Sequence, residues 1–323
     1  MSSGTRRFII RRLVQAIPTM FGIITLTFLI SRLAPGDPIR LVTFGLDLTG
    51  AEIEEIRSRY GLDRPLHEQY VRYMWDTLRL DFGFSIIYPG QTPTSMLLAR
   101  LPNTLMLAAT ALMWQLLIGV PLGIIAALNR GKVIDQTIRF AATIGHAVPD
   151  FWMGLIFIIV FAVTLGWMPS QGVLTIGRDQ WDIADRVKHI IMPSLVLAFT
   201  GIALYARLLR TEMLEVLRQD YVRTAQSKGL AEKIVVTRHA LRNALIPVVT
   251  SLGGILAGLV SGALIIEQVF TWPGLGQFTY QAAIAKDYPV VQAGVIISSS
   301  LLVISYILRD ITYAFIDPRI AHR

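Results

Sequence analysis

Long apolar stretches alternate with short polar ones along most of this chain of 323 residues. Six of the stretches have about 20 residues, the length that a helix needs to cross a hydrocarbon core of about 30 Å. They lie near Leu13 to Leu33, Thr104 to Leu128, Phe140 to Leu165, Ile190 to Leu209, Leu245 to Ile266, and Val290 to Ile316. The pattern predicts an all-α membrane protein with six transmembrane helices. An even number of crossings puts both termini on the same side of the membrane.

Composition supports a membrane protein and narrows its chemistry. Hydrophobic residues make up 53% of the chain and charged residues 16%, against about 25% charged in soluble proteins, and the mean hydropathy is +0.55. The net charge of +8 could suggest nucleic acid, but the basic residues cluster beside the apolar stretches, as on the cytoplasmic flanks of membrane helices. Because the sequence has no cysteine, it offers no disulfide framework, thiolate metal site or cysteine nucleophile.

Basic residues are concentrated in three of the regions that precede or join the apolar stretches. Four lie from Arg6 to Arg12, three from Arg130 to Arg139 and eight from Arg207 to Arg242. Since such residues favour the cytoplasmic side, these regions and both termini are predicted to be cytoplasmic. The first stretch could instead be a cleaved signal peptide, but positions 31–34 make a poor cleavage site, which favours a retained anchor.

Residues 34–103 are too polar to cross a membrane and too long for a turn, so they are predicted to form a small extracytoplasmic insert. Thr49 and Glu52 have the spacing of a capping box that begins one helix, and Gly61 can end it. Pro65 can open a second helix with its apolar side chains on roughly one face. Those side chains are Leu66, Tyr70, Tyr73, Met74 and Leu78. The insert either packs over the spans or helps to receive a substrate-delivery protein.

The strongest polar interruption runs from Arg210 to Arg242, between the fourth and fifth apolar stretches. Apolar residues recur at helical spacing in its first half, and Gly229 follows Lys228 as glycine follows a helix that ends in a left-handed residue. Glu232 places a favourable negative charge at the start of a second helix. The segment is predicted to be a helical hairpin rather than an ordinary solvated loop, because long connections with amphipathic order are usually functional.

No motif for nucleotide, metal or nucleophilic chemistry is complete in the sequence. The stretch from Ala126 to Val133 lacks the first glycine and the final hydroxyl of a phosphate-binding loop. His67 and Glu68 begin like a zinc-protease helix, but Val71 stands where the second histidine ligand is needed. The chain is therefore predicted not to be an enzyme, to bind no metal, and to share its function with partner subunits.

The hairpin resembles the inner-membrane permeases of ATP-binding cassette (ABC) importers in bacteria. In those proteins a cytoplasmic motif reads Glu-Ala-Ala, three residues, Gly, nine residues, and Ile-x-Leu-Pro. Here Arg223-Thr224-Ala225 stands at the first element, Gly229 at the glycine and His239-Ala240-Leu241-Arg242 at the last, so the glutamate and the proline of the motif are absent. The amino-acid sequence of the hairpin is similar to that of the dipeptide and oligopeptide branch of the family.

Six further phrases of that branch occur in order and together cover nearly the whole chain. They are Pro35-Gly36-Asp37-Pro38, Tyr60-Gly61-Leu62-Asp63-x-Pro65, Asp81-x-Gly83-x-Ser85, Trp272-Pro273-Gly274-Leu275-Gly276, Asp287-Tyr288-Pro289-Val290-Val291-Gln292 and Asp317-Pro318-Arg319-Ile320. The resemblance implies the fold of a type I ABC importer permease, and the long insert resembles that of the first permease subunit. It also implies a heterodimer with a second permease, two cytoplasmic ATPases that bind ATP and magnesium, and an external substrate-binding protein.

The same resemblance implies that the middle of the hairpin lies in a groove of one ATPase as the coupling element. The residues expected there are Ala225, Gly229, Leu230, Ala231 and Glu232. Within the spans, polar residues are costly and mark candidate positions on the translocation path. His146 and Asp150 flank a proline that is expected to break span three, and Asp150 either caps the second half-helix or lines the path. Glu267 either guards the outer end of span five or sits solvated.

The chain is thus divided into an N-terminus with the first transmembrane helix (1–33), the insert (34–103), a five-helix core that contains the hairpin (104–316) and a cytoplasmic tail (317–323). The predicted function is that of a permease subunit of an ATP-driven importer in the bacterial inner membrane, forming half of a path for peptides or similar solutes. A secondary transporter or channel not driven by ATP is the alternative, although no repeated halves are visible. Glutathione, nickel complexes and sugars stay open as substrates beside dipeptides and oligopeptides.

Overall fold

The computed structural model describes residues 3–33, 49–51, 58, 63–179 and 181–316, and it describes their side chains except at 3–6, 253–262 and 313–316. All regular structure in these ranges is helical. The helices are α1 (Ser3–Leu33), α2 (Leu66–Leu78), α3 (Pro93–Leu98), α4 (Leu101–Trp114), α5 (Val120–Leu128), α6 (Val133–Ala147), α7 (Asp150–Phe157), α8 (Ile183–Val216), α9 (Asp220–Ser227), α10 (Glu232–Ile234), α11 (Leu241–Ala244), α12 (Ile246–Val269), α13 (Leu275–Ile284) and α14 (Tyr288–Ile316). Three π-helical segments join α4 to α5, extend α7 and join α10 to α11; they are Gln115–Gly119, Ile158–Thr164 and Val235–Ala240. Most of the predicted first helix of the insert and the predicted tail lie outside the described residues.

Four described helical stretches are long and apolar enough to cross a membrane, and the bent pair of α6 and α7 makes five if it counts as one span. The four stretches are Arg7–Leu33, Pro93–Leu128, Ile183–Val216 and Tyr288–Thr312. The predicted fifth span forms α12, whose 24 residues extend about 36 Å. The helical fold class is confirmed for the described residues. The count of six crossings and the side on which the termini lie stay predictions.

Span three differs from the single run predicted from Phe140 to Leu165. It consists of α6 and α7 with the following π-helical segment, which together run from Val133 to Thr164 and are bent by 103° at the break. Val148 has φ −84° and ψ 126°, the extended conformation favoured before a proline, and Pro149 has no N–H to continue the helix. The break expected at this proline is confirmed.

Helix α8 lies at the centre of the bundle and contacts α4, α5, α6, α7 and α12. Its 34 residues extend about 51 Å, which exceeds the thickness of a hydrocarbon core of about 30 Å. Helix α5 and the π-helical segment before it approach α8 closely because Gly123 and Gly119 have no side chain. A Cβ at Gly119 or Gly123 would lie 2.9 Å from the Cβ atom of Tyr205 or Leu209, respectively. Both of those α8 side chains are completely buried. The long, closely packed α8 therefore connects the membrane core to the segment that follows it.

The insert places α2 against α1. Tyr70 and Tyr73 of α2 pack on Phe28 of α1, with ring centroids 5.4 Å apart in both pairs. The hydroxyl oxygens of Tyr70 and Thr25 share a hydrogen bond of 2.8 Å. The predicted second helix of the insert is confirmed, and its aromatic face is the one that packs on the first span.

Candidate functional site

The predicted hairpin begins where α8 ends. After a turn at 217–219, α9 starts at Asp220, whose negative charge favours a helix N-terminus. Helix α9 ends two residues before Gly229, whose N–H donates to the carbonyl of Gln226 at 2.9 Å and whose φ is +75°. Since glycine adopts this left-handed conformation without steric cost, it ends the helix as predicted. The first half of the hairpin is not one helix, however, because residues 210–216 belong to α8.

A small apolar core holds the hairpin together. Val222 and Ala225 of α9 and Val235 of the π-helical segment after α10 are at most 5% exposed, and they pack against Val216 and Leu217 at the end of α8. Burial of these side chains holds the hairpin against α8. Ala225, which was expected to contact a partner, instead faces this core.

The surface around the turn of the hairpin is exposed. The exposed residues of the predicted coupling set are Gly229, Leu230, Ala231 and Glu232. Two further apolar side chains lie on the hairpin beside them: Tyr221 is 43% exposed and Ile234 is 44% exposed, against 39% for Leu230. We call these six residues the hairpin tip. Sequence reasoning missed Ile234 as a surface residue, because it opens a short apolar run whose next two residues, Val235 and Val236, are buried.

A buried ion pair connects the last turns of α8 to the first turn of α6. Asp135 is 1% exposed and accepts two hydrogen bonds from Arg210, from Nε to Oδ1 at 2.6 Å and from a terminal nitrogen to Oδ2 at 2.8 Å. The N–H of Gly131 also donates to Oδ2, at 2.9 Å. A two-pronged contact of this kind fixes the orientation as well as the distance of the two helices. Sequence reasoning missed it because the partners are 75 positions apart.

The break in span three lies against the middle of α8. Asp150, the first residue of α7, is half-buried, and its Oδ1 accepts a hydrogen bond from Thr200 Oγ1 of α8 at 2.9 Å. Helix α7 begins without a side-chain cap at its N-cap residue, Pro149. His146, in the last turn of α6, is exposed. The two predicted path residues thus lie on either side of the same break, and the contact of Asp150 is with α8.

Glu267 lies in the last turn of α12 and has no exposed surface. Its Oε1 accepts a hydrogen bond from Thr104 Oγ1 at 2.6 Å, and its Oε2 accepts one from the N–H of Gln277 at 3.0 Å. The N–H of Leu275 donates to Thr104 Oγ1 at 2.8 Å. The alternative that Glu267 is solvated is wrong, because its carboxylate ties α12 to the beginnings of α4 and α13.

The phrase from Trp272 to Gly276 forms the sharp turn around this carboxylate. Trp272 is completely buried, and its Nε1 donates to the carbonyl of Asn103 at 3.0 Å. A Cβ at Gly274 would collide with the carboxylate of Glu267, so the backbone can pass there only without a side chain. In this chain the phrase therefore serves close packing around a buried acid.

Comparisons with known proteins decide the family. Residues 119–322 match the family described as the binding-protein-dependent transport system inner membrane component, and residues 5–108 match the description of the N-terminal part of such membrane components. The chain belongs to this permease family. The resemblance found in the hairpin and the six phrases is thereby confirmed.

Relatives of the permease extend over its whole length. The oligopeptide transport system permease protein AppB of Bacillus subtilis is 42% identical, over 98% of this chain and 99% of the relative. The di/tripeptide transport system permease protein DppB of Pseudomonas aeruginosa is 39% identical and that of the dipeptide system of Escherichia coli 34%, each over 98% of this chain and 99% of the relative. A chain of the MetNI methionine ABC transporter, solved in inward-facing conformations, shares the fold with a TM-score of 0.54 at 19% identity, over 71% of this chain and 97% of that chain.

Membership of this family establishes the general role of the chain. It is the transmembrane permease subunit of an ATP-driven importer in the inner membrane, and the ATPase activity of such importers lies in separate subunits. The prediction that the chain is not itself an enzyme is confirmed on that ground. ATP and magnesium belong to the ATPase partners in such systems, and a substrate-binding protein completes them. Among the described residues of the permease, no three potential metal-ligating side chains come together.

Two of the permease phrases meet in the structure although they are about 200 positions apart. Ser85 Oγ donates to the carboxylate of Asp287, and the N–H groups of Ile86 and Ile87 each donate to it at 3.2 Å. Asp287 is 1% exposed. The carboxylate therefore connects the part of the insert before α3 to the turn between α13 and α14, and both sequence motifs serve this contact.

Proposed function

We propose that this permease forms one half of the membrane pathway of a peptide importer. The observation that carries the proposal is the identity of 34–42% to three permeases named for oligopeptides, di/tripeptides and dipeptides, each matched over almost its full length. Substrate choice in such importers is shared with a binding protein, so the permease needs to provide a path of the right width rather than a tight pocket.

In the proposed arrangement all six predicted helices cross the membrane, with α12 as the crossing that precedes α13. Both termini, the region at 130–139 and the hairpin lie in the cytoplasm, and the insert lies outside. The distribution of basic residues supports this sidedness. So does the length of α8, which carries the basic hairpin past one surface of the hydrocarbon core.

The hairpin tip is proposed to dock into a cytoplasmic ATPase. Its apolar side chains are exposed on a segment that is otherwise basic and polar, which is typical of a contact surface. Each permease has one such hairpin, so two ATPases require two permeases. The partner permease is proposed to be a second, homologous chain, which makes the membrane part a heterodimer.

Helix α8 is proposed to carry motion from the hairpin into the membrane. The hairpin core packs on its end, Arg210 binds Asp135 of α6, and Thr200 binds Asp150 of α7. The two α8 contacts are ten residues apart, about 15 Å along the helix. A displacement of the hairpin therefore acts on both halves of span three, and the break between them can absorb it as a change of angle.

His146 and Asp150 are proposed to lie beside the translocation path, because they flank this break and break points place polar backbone and side chains inside a membrane protein. Glu267 has no exposed surface in this conformation. It is therefore proposed to hold the outer ends of three helices together, and it would line an entrance only after its hydrogen bonds to Thr104 and Gln277 had opened.

Transport by the reconstituted complex tests the function. The permease, its partner permease, the two ATPases and the binding protein are placed in vesicles, and uptake of a labelled dipeptide, a hexapeptide, glutathione and a sugar is measured. We expect uptake of a peptide that needs both ATP and the binding protein. Peptide uptake by this chain alone would refute an ATP-driven permease, and uptake of glutathione or the sugar without peptide would refute only the substrate.

Labelling tests the topology, and the cysteine-free sequence makes it straightforward. Lys228→Cys at the hairpin and Gln91→Cys at the end of the insert both introduce a thiol at an exposed position. In cells whose outer envelope is permeabilised but whose inner membrane is intact, a membrane-impermeant maleimide is expected to label Gln91→Cys and not Lys228→Cys. Labelling of the first variant under these conditions contradicts a cytoplasmic hairpin.

A further inference from the structure

A cleft between α1 and α14, lined by apolar residues and by several polar and charged side chains, takes no part in the transport path or in the coupling described above. It has a volume of about 300 Å³. Its polar lining residues are Arg12, Gln15 and Thr19 of α1 and Tyr306, Arg309 and Asp310 of α14. Two guanidinium groups and one carboxylate therefore lie between two helices that are long and apolar enough to cross a membrane.

The charges in the cleft are only partly balanced. Asp310 Oδ2 forms an ion pair with Arg12, 3.0 Å from its Nε, and Asp310 Oδ1 accepts a hydrogen bond from Arg309 Nε at 3.1 Å. One terminal nitrogen of Arg12 donates to Gln15 Oε1 at 3.3 Å. Among the described residues, the other terminal nitrogen of Arg12 and both terminal nitrogens of Arg309 have no further partner. One carboxylate thus serves two arginines and leaves a net charge of about +1 with several free N–H groups.

Neighbouring rings and the shared carboxylate hold both guanidinium groups in place. The Arg12 guanidinium carbon lies 5.3 Å from the ring centre of Phe8, and that of Arg309 lies 4.8 Å from the ring centre of Tyr306. The side chain of Arg12 is 42% exposed and that of Arg309 is 32% exposed. Because they are both held and accessible, the two forks are preorganised for an anion with several oxygen atoms.

Helix lengths support a position of the cleft at the depth of lipid headgroups. Arg12 is about 31 Å along α1 from Leu33, and Arg309 is about 31 Å along α14 from Tyr288. Since the hydrocarbon core is about 30 Å thick, each arginine reaches one surface of the core when the far end of its helix reaches the other. Helices α1 and α14 pack together, so both arginines lie at the same surface, whichever side of the membrane it is.

We propose that this cleft binds the phosphate group of a phospholipid. The terminal N–H groups of Arg12 and Arg309 would donate to its oxygens, and the surplus positive charge favours an anionic headgroup such as that of phosphatidylglycerol. The acyl chains would lie along the adjacent outer surface of α1. That surface is apolar and open there: Leu13, Val14 and Ile17 are 49%, 57% and 68% exposed.

Lipid retention by the complete importer complex tests the proposal. The complex is purified in detergent, supplied with phosphatidylglycerol, phosphatidylcholine or glycerol 3-phosphate, and the ligand bound per complex is measured by native mass spectrometry. We expect phosphatidylglycerol to bind best and Arg309→Gln to weaken it about tenfold, as for the loss of charge-assisted hydrogen bonds. The control is Arg11→Gln, which removes the same charge from an exposed position outside the cleft and should change binding less than about twofold.

Three results would overturn the proposal. Equal binding of phosphatidylglycerol by the wild type and Arg309→Gln places the lipid elsewhere. An equal loss in Arg11→Gln means that only the general charge of this helix end matters. Displacement of the lipid by a comparable concentration of glycerol 3-phosphate identifies the occupant as a soluble phosphate ester. Should Arg309→Gln fail to assemble, Arg309→Lys keeps a charge beside Asp310 but removes the fork, and undiminished lipid binding by that variant counts against the site equally.

Discussion

The two ends of the membrane core are each held by a buried carboxylate, but the two carboxylates have different partners. Asp135, near the hairpin, meets the full opposite charge of Arg210 in a two-pronged contact. Glu267, near the turn before α13, meets neutral donors, the hydroxyl of Thr104 and the N–H of Gln277. The hairpin end therefore depends on one pair of side chains, whereas the other end depends on the shape of a backbone turn.

A glycine stands at each end, again for a different reason. Gly229 has φ +75°, and a Cβ added to it would meet nothing of this chain within 4 Å. Gly274 has φ −99°, which any residue can adopt, but a Cβ there would collide with Glu267. One glycine is required by backbone conformation and the other by lack of space. The open space at Gly229 leaves room for a partner, whereas the lack of space at Gly274 reflects internal packing.

The largest effect on stability is expected from Arg210→Ala. The variant leaves Asp135 buried without its charge partner, which costs about 3–5 kcal/mol in the free energy of unfolding. Denaturant titration of the purified chain in detergent micelles measures the loss. Arg207→Ala, an exposed position one turn earlier on the same helix, is the control and should change stability by at most about 0.5 kcal/mol. Equal losses in the two variants would show that the ion pair adds nothing specific.

A smaller loss is expected from Gly274→Ala at the other end. The added methyl group has to displace the Glu267 carboxylate from its hydrogen bonds, and overpacking of this kind costs about 1–3 kcal/mol. The same titration measures it. Gly22→Ala is the matched control, because an added Cβ meets nothing within 4 Å there and alanine favours the surrounding α1 helix. A Gly274→Ala chain as stable as the wild type would contradict the tight turn.

The exchange Glu267→Gln separates charge from shape. The amide keeps the size of the side chain but replaces one accepting oxygen with a donor, so either Thr104 or Gln277 loses its acceptor at a cost of about 1 kcal/mol. Asp135→Asn, the same exchange at the charged end, should cost more, because it leaves the half-buried Arg210 without a counter-charge. Thermal unfolding of both variants in one detergent gives the order. A larger loss of stability in Glu267→Gln than in Asp135→Asn would contradict the distinction between a carboxylate with a charged partner and one with neutral donors.

Local rules of the chain were sufficient for part of this structure. The break at Pro149 follows from the missing N–H and the restricted residue before it, and the turn at Gly229 follows from the freedom of glycine. The apolar stretches predicted the helices, because helices satisfy the backbone within the membrane. Within the described residues, the main wrong prediction concerned a helix boundary. The first half of the hairpin was predicted to be one helix, but it is shared between the end of α8 and α9.

The contacts of the two buried carboxylates could not be predicted from local sequence, because each joins residues far apart in the chain. Asp135 and Arg210 are 75 positions apart, and Thr104 and Glu267 are 163 apart. Nothing in the neighbourhood of Glu267 indicates that a turn ten residues later folds back on its carboxylate. The buried position of Ala225 could not be predicted either. Helical periodicity indicated that it lies on an apolar face, but not whether that face is covered by the rest of this chain or by a partner subunit.

The smallest effect on the stability of the chain, but a large one on transport, is expected at Gly229. Asparagine and aspartate tolerate the left-handed conformation better than other side chains, so Gly229→Asn and Gly229→Asp should cost at most about 1 kcal/mol and leave membrane insertion intact. A Cβ here meets nothing in this chain, so a loss of uptake in a variant that keeps the stability of the wild type is attributed to a partner that approaches the turn. Gly229→Asp is expected to reduce both ATPase association and uptake, measured by copurification and by labelled-peptide transport.

The control Gly229→Asn has nearly the same shape without the charge. A defect equal to that of Gly229→Asp means that the ATPase groove has no space for a side chain, and a lesser defect means that the groove rejects negative charge. Full transport and normal copurification by both variants would remove the hairpin tip from the coupling interface.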